Sequence, residues 1–271
     1  MVENPSQGTS EPPLDHLSAA EIEKVLEFIQ DVDAIVVGGQ SLAIWSRYYL
    51  ERAPKLAQVY SMSSDDVDLY GRPGAAQAFA KKLTDAKVYT PKFGDPSPNA
   101  ATVVGMLGKR KINVDFLRAI LGVVSKSITR NFVTLTGPQQ ASGRPINILL
   151  LHPLDCMRSR FSNINDLKRG DPHSVSSAQA SILVLEAFID DLLARGEIKR
   201  AQAILMNLYY VIRDRCLGRP VHTKFKLDPR SILLRFRLDL RIDQRWRSHQ
   251  IANALSRLQT KAEVVARNAK G

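Results

Sequence analysis

Residues 34–45 read "AIVVGGQSLAIW". A short apolar run stops at two glycines, and the chain resumes with Leu42, Trp45 and Tyr49 on one helical face. The run reads as a buried strand, and the stretch after the glycines reads as a helix with Pro54 just past its end. A strand that passes through Gly38–Gly39 straight into a helix commits this part of the chain to an α/β layer, since each element must cover the apolar side of the other. The joint also aims backbone N–H groups ahead of the helix, where its dipole favours phosphate, and glycines let a ligand come close. Gly38, Gly39 and Ser41 are therefore candidate phosphate-binding residues, although G-G-x-S is also a common tight turn. The stretch is neither a G-x-x-x-x-G-K-[ST] loop nor a G-x-G-x-x-G fingerprint.

Around this joint the pattern is mixed. "LSAAEIEKVLEFIQ" carries a capping box, Ser18 with Glu21, and an apolar stripe of Ile22, Val25, Leu26 and Ile29. "DVDLYG" reads as a strand and "GAAQAFAKKLTDA" as a helix. "KVYTP", "ATVVGML" and "KINVDFL" read as strands, the last two joined by a glycine-containing hairpin turn. "NFVTLTG" and "PINILLL" add two more. Beyond His152 the spacing becomes helical almost throughout. The expected architecture is α+β: residues 1–14 as a disordered leader, 15–151 as a mixed-sheet domain and 152–271 as a basic, mostly helical domain. One stretch, "FKLDPRSILLRFRLDLRIDQRWR", is ambiguous: Ile232, Leu234, Phe236, Leu238, Leu240 and Ile242 alternate with more polar residues, which favours a strand, and a helix stays open as the alternative.

Residues 61–71, "SMSSDDVDLYG", hold three aspartates within four positions. On a strand, i and i+2 share a face, so Asp66 and Asp68 point together and Asp65 points away. Two carboxylates on one face repel unless a cation lies between them. Mg²⁺ suits that place, because it takes carboxylate oxygens and completes its shell with substrate phosphates. Asp115, in "INVDFL", sits among residues typical of a buried strand, where an ionised carboxylate needs a partner or a metal.

A G-G-Q-S joint, a D-x-D on the next strand and a third aspartate on a later strand together resemble the DNA polymerase β-like nucleotidyltransferase superfamily. "GGQSLAIWSRYYLE" and "SSDDVDLYG" look closest to its bacterial AbiEii-like members, a group that includes toxins of toxin–antitoxin pairs. The resemblance covers roughly residues 18–150 and implies a nucleotidyltransferase domain with a helical extension. It implies transfer of NMP from an NTP to an acceptor hydroxyl. Asp66 and Asp68 would hold Mg²⁺ or Mn²⁺; Asp115 would complete a second metal site or take the acceptor proton. Gly38, Gly39 and Ser41 would hold the β- and γ-phosphates. Such chemistry needs charge neutralisation and positioning more than a covalent nucleophile. No Ser/His/Asp triad stands out, and the five histidines are scattered.

A triphosphate needs further cations. "CMRSRFSNINDLKRG" offers Arg158, Arg160, Lys168 and Arg169; read as one helix, it puts Arg160 and Lys168 on a shared face, so either reaches the cleft. The net charge of +11 is also uneven. From residue 195 onward there are 18 Lys and Arg against 6 Asp and Glu. That excess suggests an anionic partner, nucleic acid first, or else a solvated basic face. With the AbiEii-like resemblance it implies an RNA acceptor, tRNA-like, and a cognate antitoxin or partner protein. Two alternatives remain: a non-catalytic binding module on the same scaffold, and transfer to a small molecule such as an antibiotic. No apolar run is long enough to span a bilayer, and the first residues lack the pattern of a signal peptide. Cys156 and Cys216 read as buried free thiols. These features lead to the expectation of a cytoplasmic protein without a membrane partner.

Overall fold

The computed structural model describes residues 18–60, 67–92, 94–139 and 145–259. Helix α1 (Ala19–Ile29) starts on the capping box: the Ser18 N–H donates to Glu21 Oε2 at 2.8 Å, and the Glu21 N–H donates to Ser18 Oγ at 3.3 Å. The fully buried strand β1 (Ala34–Val36) comes next, then α2 (Gly38–Tyr48). A short helix α3 (Lys55–Val59), which the apolar pattern does not announce, begins after Pro54. Next come β2 (Val67–Gly71), α4 (Pro73–Ala80), β3 (Thr84–Tyr89), β4 (Asn99–Leu107) and β5 (Arg110–Leu117). A second unannounced helix, α5 (Ser125–Asn131), precedes β6 (Val133–Gln139) and β7 (Pro145–Leu150).

The strands form one seven-stranded mixed sheet in the order β3-β4-β5-β2-β1-β7-β6. The pairs β2/β5 and β1/β7 are parallel and the others antiparallel. The β4–β5 hairpin turns through Gly108, at φ +63°, so that Leu107 pairs with Arg110, and that register holds as far as Ala101 opposite Phe116, before it shifts at Asn99. Helix α4 is shorter than its alanine-rich sequence suggests. The chain leaves it after Ala80 because residues 84–89 gain a ladder of hydrogen bonds along β4.

The rest is helical: α6 (Pro153–Asn165), α7 (Pro172–Ala194), α8 (Ile198–Arg213), α9 (Gly218–Phe225) and α10 (Arg230–Arg237). Then come α11 (Gln244–Trp246), a π-helical turn at Arg247–Ile251 and α12 (Ala252–Arg257). The stretch that the sequence leaves open between strand and helix is α10 and the turn after it, so the helical alternative holds. Ile232, Leu233 and Phe236 bury together at helical spacing, while Leu238 and Leu240 stand 76% and 86% exposed. A lone strand here would leave its backbone unpaired, whereas a helix satisfies its own.

One apolar core runs through both the sheet-bearing part and the helical part, from Val25 to Ala254. Trp45 ties them together. It is buried, stacks on Tyr49 at 5.7 Å, meets Phe188 of α7 edge-on at 5.8 Å, and donates from Nε1 to the Leu151 carbonyl at 2.9 Å. Truncating a side chain in such a place to alanine costs about 3–5 kcal/mol. The thiols divide: Cys156 is buried as expected, but Cys216 is exposed, because it lies in the turn after α8 rather than on a packed face.

Candidate functional site

The end of the sheet at which β1 hands over to α2 brings together three of the predicted residues, Gly38, Asp68 and Asp115. The Val37 N–H donates to the Asp68 carbonyl at 2.9 Å, which aligns the last turn of β1 with the start of β2. Gly38 then enters α2 at φ +62°. A Cβ on Gly38 would lie 2.8 Å from Asp68 Cγ and 2.9 Å from Asp68 Cβ, closer than real Cβ contacts come. The Asp68 side chain thus occupies the space left by the missing Cβ, and only glycine suits both the backbone angle and the neighbour. This contact joins the G-G motif to the D-x-D motif.

Asp68 and Asp115 are register partners on the parallel strands β2 and β5. Their Cα atoms lie about 4.8 Å apart across the ladder, and their side chains share a face. Both are half-buried, while their chain neighbours Val67, Leu69, Val114 and Phe116 are buried on the other face. The alternation that puts those four in the core therefore turns the two acids outward on the same side. Asp66 and Asp65 lie outside the described residues, and so does the predicted leader.

Thr102 is a site neighbour that the sequence pattern did not single out. It is the cross-strand partner of Asp115, and its hydroxyl donates to Asp115 Oδ1 at 2.6 Å. Asn99 Nδ2 donates in turn to Thr102 Oγ1 at 3.3 Å. A signal exists in the chain: counting back from the two-residue turn Gly108–Lys109 places Thr102 opposite Asp115. Further along the same face, Tyr70, Ile35, Asn99 and Arg118 line a cavity of about 490 Å³.

At the start of α2, Gly38 and Gly39 are half-buried, and the N-cap residue Val37 supplies no side-chain acceptor. The first backbone N–H groups of a helix have no partner within it. Ser41, predicted beside them, faces the interior. It is fully buried, its Oγ is 3.4 Å from Cys156 Sγ, and its N–H donates to the Val37 carbonyl at 3.1 Å. Gln40, not among the sequence candidates, is 2% exposed, and its Oε1 has no partner among the described residues.

The basic candidates separate. Arg160 is half-buried on α6, and its charge reaches two groups near α2. Burial pushes the Cys156 thiol up to about 12, and Ser41 and Arg160 partly offset this. Burial likewise raises Tyr60, with Arg160 acting against it. Tyr60 is the last described residue before the segment that carries Asp66. Lys168 departs from expectation. Helix α6 ends at Asn165, so Lys168 is not on its face; it is exposed, in a left-handed conformation at φ +53°.

The basic excess of the C-terminal part is partly neutralised by α7. Arg235 and Arg241 reach Asp190 at 3.3 and 2.6 Å, Arg235 also pairs with Glu186, and Arg195 reaches Asp191 at 3.4 Å. Other cations of this part stay unpaired: Arg213, Arg215 and Arg219 at the α8–α9 turn, and Lys224 and Lys226 at the far end of α9, are exposed and make no ion pair with a described residue. Among the described residues no helix is long and apolar enough to cross a membrane, and no three acidic, histidine or cysteine side chains cluster as a metal cage. The chain matches no protein-family model, no curated protein and no solved structure.

Proposed function

We propose that the protein is a metal-dependent nucleotidyltransferase of the polymerase β-like type that transfers NMP from an NTP to a hydroxyl on RNA. The observation that carries this reading is the packing of Asp68 against Gly38 with Asp115 level beside it. It unites a helix N-terminus suited to phosphate with two carboxylates on one open face.

The donor set fits Mg²⁺ or Mn²⁺. Two hard carboxylates on one face suffice for an ion that takes one or two from the protein and the rest from water and phosphates. Asp68 and Asp115 would hold it, with Asp66 as a further ligand. Bound there, the metal supplies charge neutralisation on the triphosphate. The chain's own groups do the rest. The N–H groups of Gly38, Gly39 and Gln40 orient the phosphates through the backbone, a role that Ser41, turned inward, does not share. Thr102 holds Asp115 Oδ1, which fixes the carboxylate and leaves Oδ2 as the oxygen that would hold the metal. Arg160 adds positive charge beside Tyr60. The cations at the α8–α9 turn support an RNA acceptor, since phosphate contacts supply most sequence-independent affinity. A toxin role with a cognate antitoxin belongs to the same proposal and rests on the sequence resemblance alone.

The test is incubation with each labelled NTP, Mg²⁺ or Mn²⁺ and total RNA. Label should pass to RNA with one NTP, and Asp68→Asn or Asp115→Asn should abolish it. No transfer by the wild type, or equal transfer by the variants, defeats the proposal.

A further inference from the structure

A second cavity, of about 520 Å³, opens between α5, α6 and α8. Three guanidinium groups line it, each from a different helix: Arg130 near the end of α5, Arg158 on α6 and Arg200 on α8. Two are braced by nearby acids. Arg158 lies 3.3 Å from Asp155 Oδ1, and Arg200 lies 3.1 Å from Glu197 Oε2. Arg130 is exposed and makes no ion pair with a described residue.

Asp155 does not present a free negative edge to the cavity. It is 2% exposed, and its other oxygen accepts from Ser127 Oγ at 2.7 Å, which Asn131 Nδ2 contacts in turn at 3.0 Å. The acid thus positions donors rather than repelling an anion. His152 sits in the wall as a neutral ring, its Nδ1 accepting the Leu154 N–H at 3.1 Å, so the remaining proton is on Nε2. Burial, then the charges of Arg200 and Arg158, hold its pKa down to about 4, a sign that the positive field reaches the wall. Phe132, in the rim, is 38% exposed. An exposed aromatic beside a cluster of guanidinium groups suits a nucleobase joined to a phosphate. The volume is in the range of small-ligand sites and well beyond what a lone oxyanion fills.

We infer that this cavity binds a nucleotide unit, its phosphate on Arg130, Arg158 and Arg200 and its base on Phe132. Site and ligand are independent of the transferase reading and need no metal. The nucleotide comes either from free nucleoside monophosphate or from the phosphorylated end of an RNA. His152 leaves the sheet after β7, the strand beside β1, so the cavity opens near the end where Gly38 begins α2.

The experiment is calorimetry on the full chain in EDTA, with a nucleoside 5′-monophosphate, the matching nucleoside and inorganic phosphate as probes. The monophosphate should bind saturably, and Arg130→Ala/Arg200→Gln should weaken it at least tenfold. Phe132→Ala should weaken the monophosphate but not inorganic phosphate, and Asp68→Asn should change neither. Absence of saturable binding, or binding that the double arginine variant leaves intact, overturns the inference. Displacement of the monophosphate by a 5′-phosphorylated oligoribonucleotide, but not by its 5′-hydroxyl form, identifies an RNA end as the source; lack of displacement identifies the free nucleotide.

Discussion

The carboxylate end of the sheet and the arginine cavity concentrate charge of opposite sign by different means. Asp68 and Asp115 meet because two strands pair, and strand pairing puts residues level and on a common face by backbone geometry alone. Arg130, Arg158 and Arg200 meet because three helices pack, and the approach of helices is set by side chains along their whole length. A register is a counting rule. A helix-packing angle is an outcome of the entire core.

The difference predicts different responses to mutation. The largest effect belongs to the carboxylates: Asp68→Asn and Asp115→Asn should each lower label transfer by at least about 100-fold with thermal unfolding little changed. If a variant instead unfolds, the acid is part of the fold rather than of the chemistry. Gly38→Ala should fail in both respects. It forces a left-handed residue and a Cβ into Asp68, and should cost about 2–4 kcal/mol in denaturant unfolding together with activity. A fully stable, active Gly38→Ala protein would break the contact that joins the two motifs.

The cavity should show itself through pH. His152, neutral and buried, has its pKa lowered from 6.5 to about 4. Above pH 6.5 neither the folded nor the unfolded ring is charged, and it adds no pH dependence. Below that, the unfolded chain takes up a proton that the folded one refuses, so stability falls as pH drops from 6.5 toward 4, by up to roughly 3 kcal/mol. Asp155, raised chiefly by burial, works the other way: as pH falls through its raised pKa toward 3.8, the folded state is relieved of a buried charge. Equilibrium unfolding between pH 7 and 4.5 should therefore lose stability toward acid in the wild type, and His152→Gln should remove that contribution to the slope.

Smaller effects sharpen the contrast. Thr102→Val should lower transfer by about tenfold, the usual cost of losing a partner that orients a ligand-binding group, with stability nearly intact. Arg241→Ala, which cuts an exposed pair to Asp190 on α7, should cost no more than about 1 kcal/mol in denaturant unfolding and leave transfer unchanged.

Particular residues show where the sequence is readable. The capping box of α1, the β4–β5 turn and the burial of Trp45 and Tyr49 obey local rules and appear as expected. Asp68 beside Asp115 results from alternation along two strands. Ser41 departs from expectation because spacing along a helix tells which residues share a face but not whether that face meets solvent or another helix. Lys168 departs because the helix does not continue past Asn165 and Lys168 itself turns left-handed. The alternation at 231–243 misleads for a related reason: a period of two is shared by a strand and by chance, and only the lack of a pairing partner decides against it.

What the sequence determined by itself is therefore what local geometry determines: the mixed strand–helix character up to residue 151, the helical texture beyond it, the glycine joint and the strand positions of Asp68 and Asp115. What the tertiary structure alone decided is which distant groups share space. Asp68 fills the gap at Gly38, Thr102 braces Asp115, α7 absorbs arginines from the basic end, and three arginines from three helices line one cavity. Hydrogen-bond ladders and caps act over a few residues and can be read along the chain. Close packing joins residues a hundred positions apart, and it exists only once the core has closed.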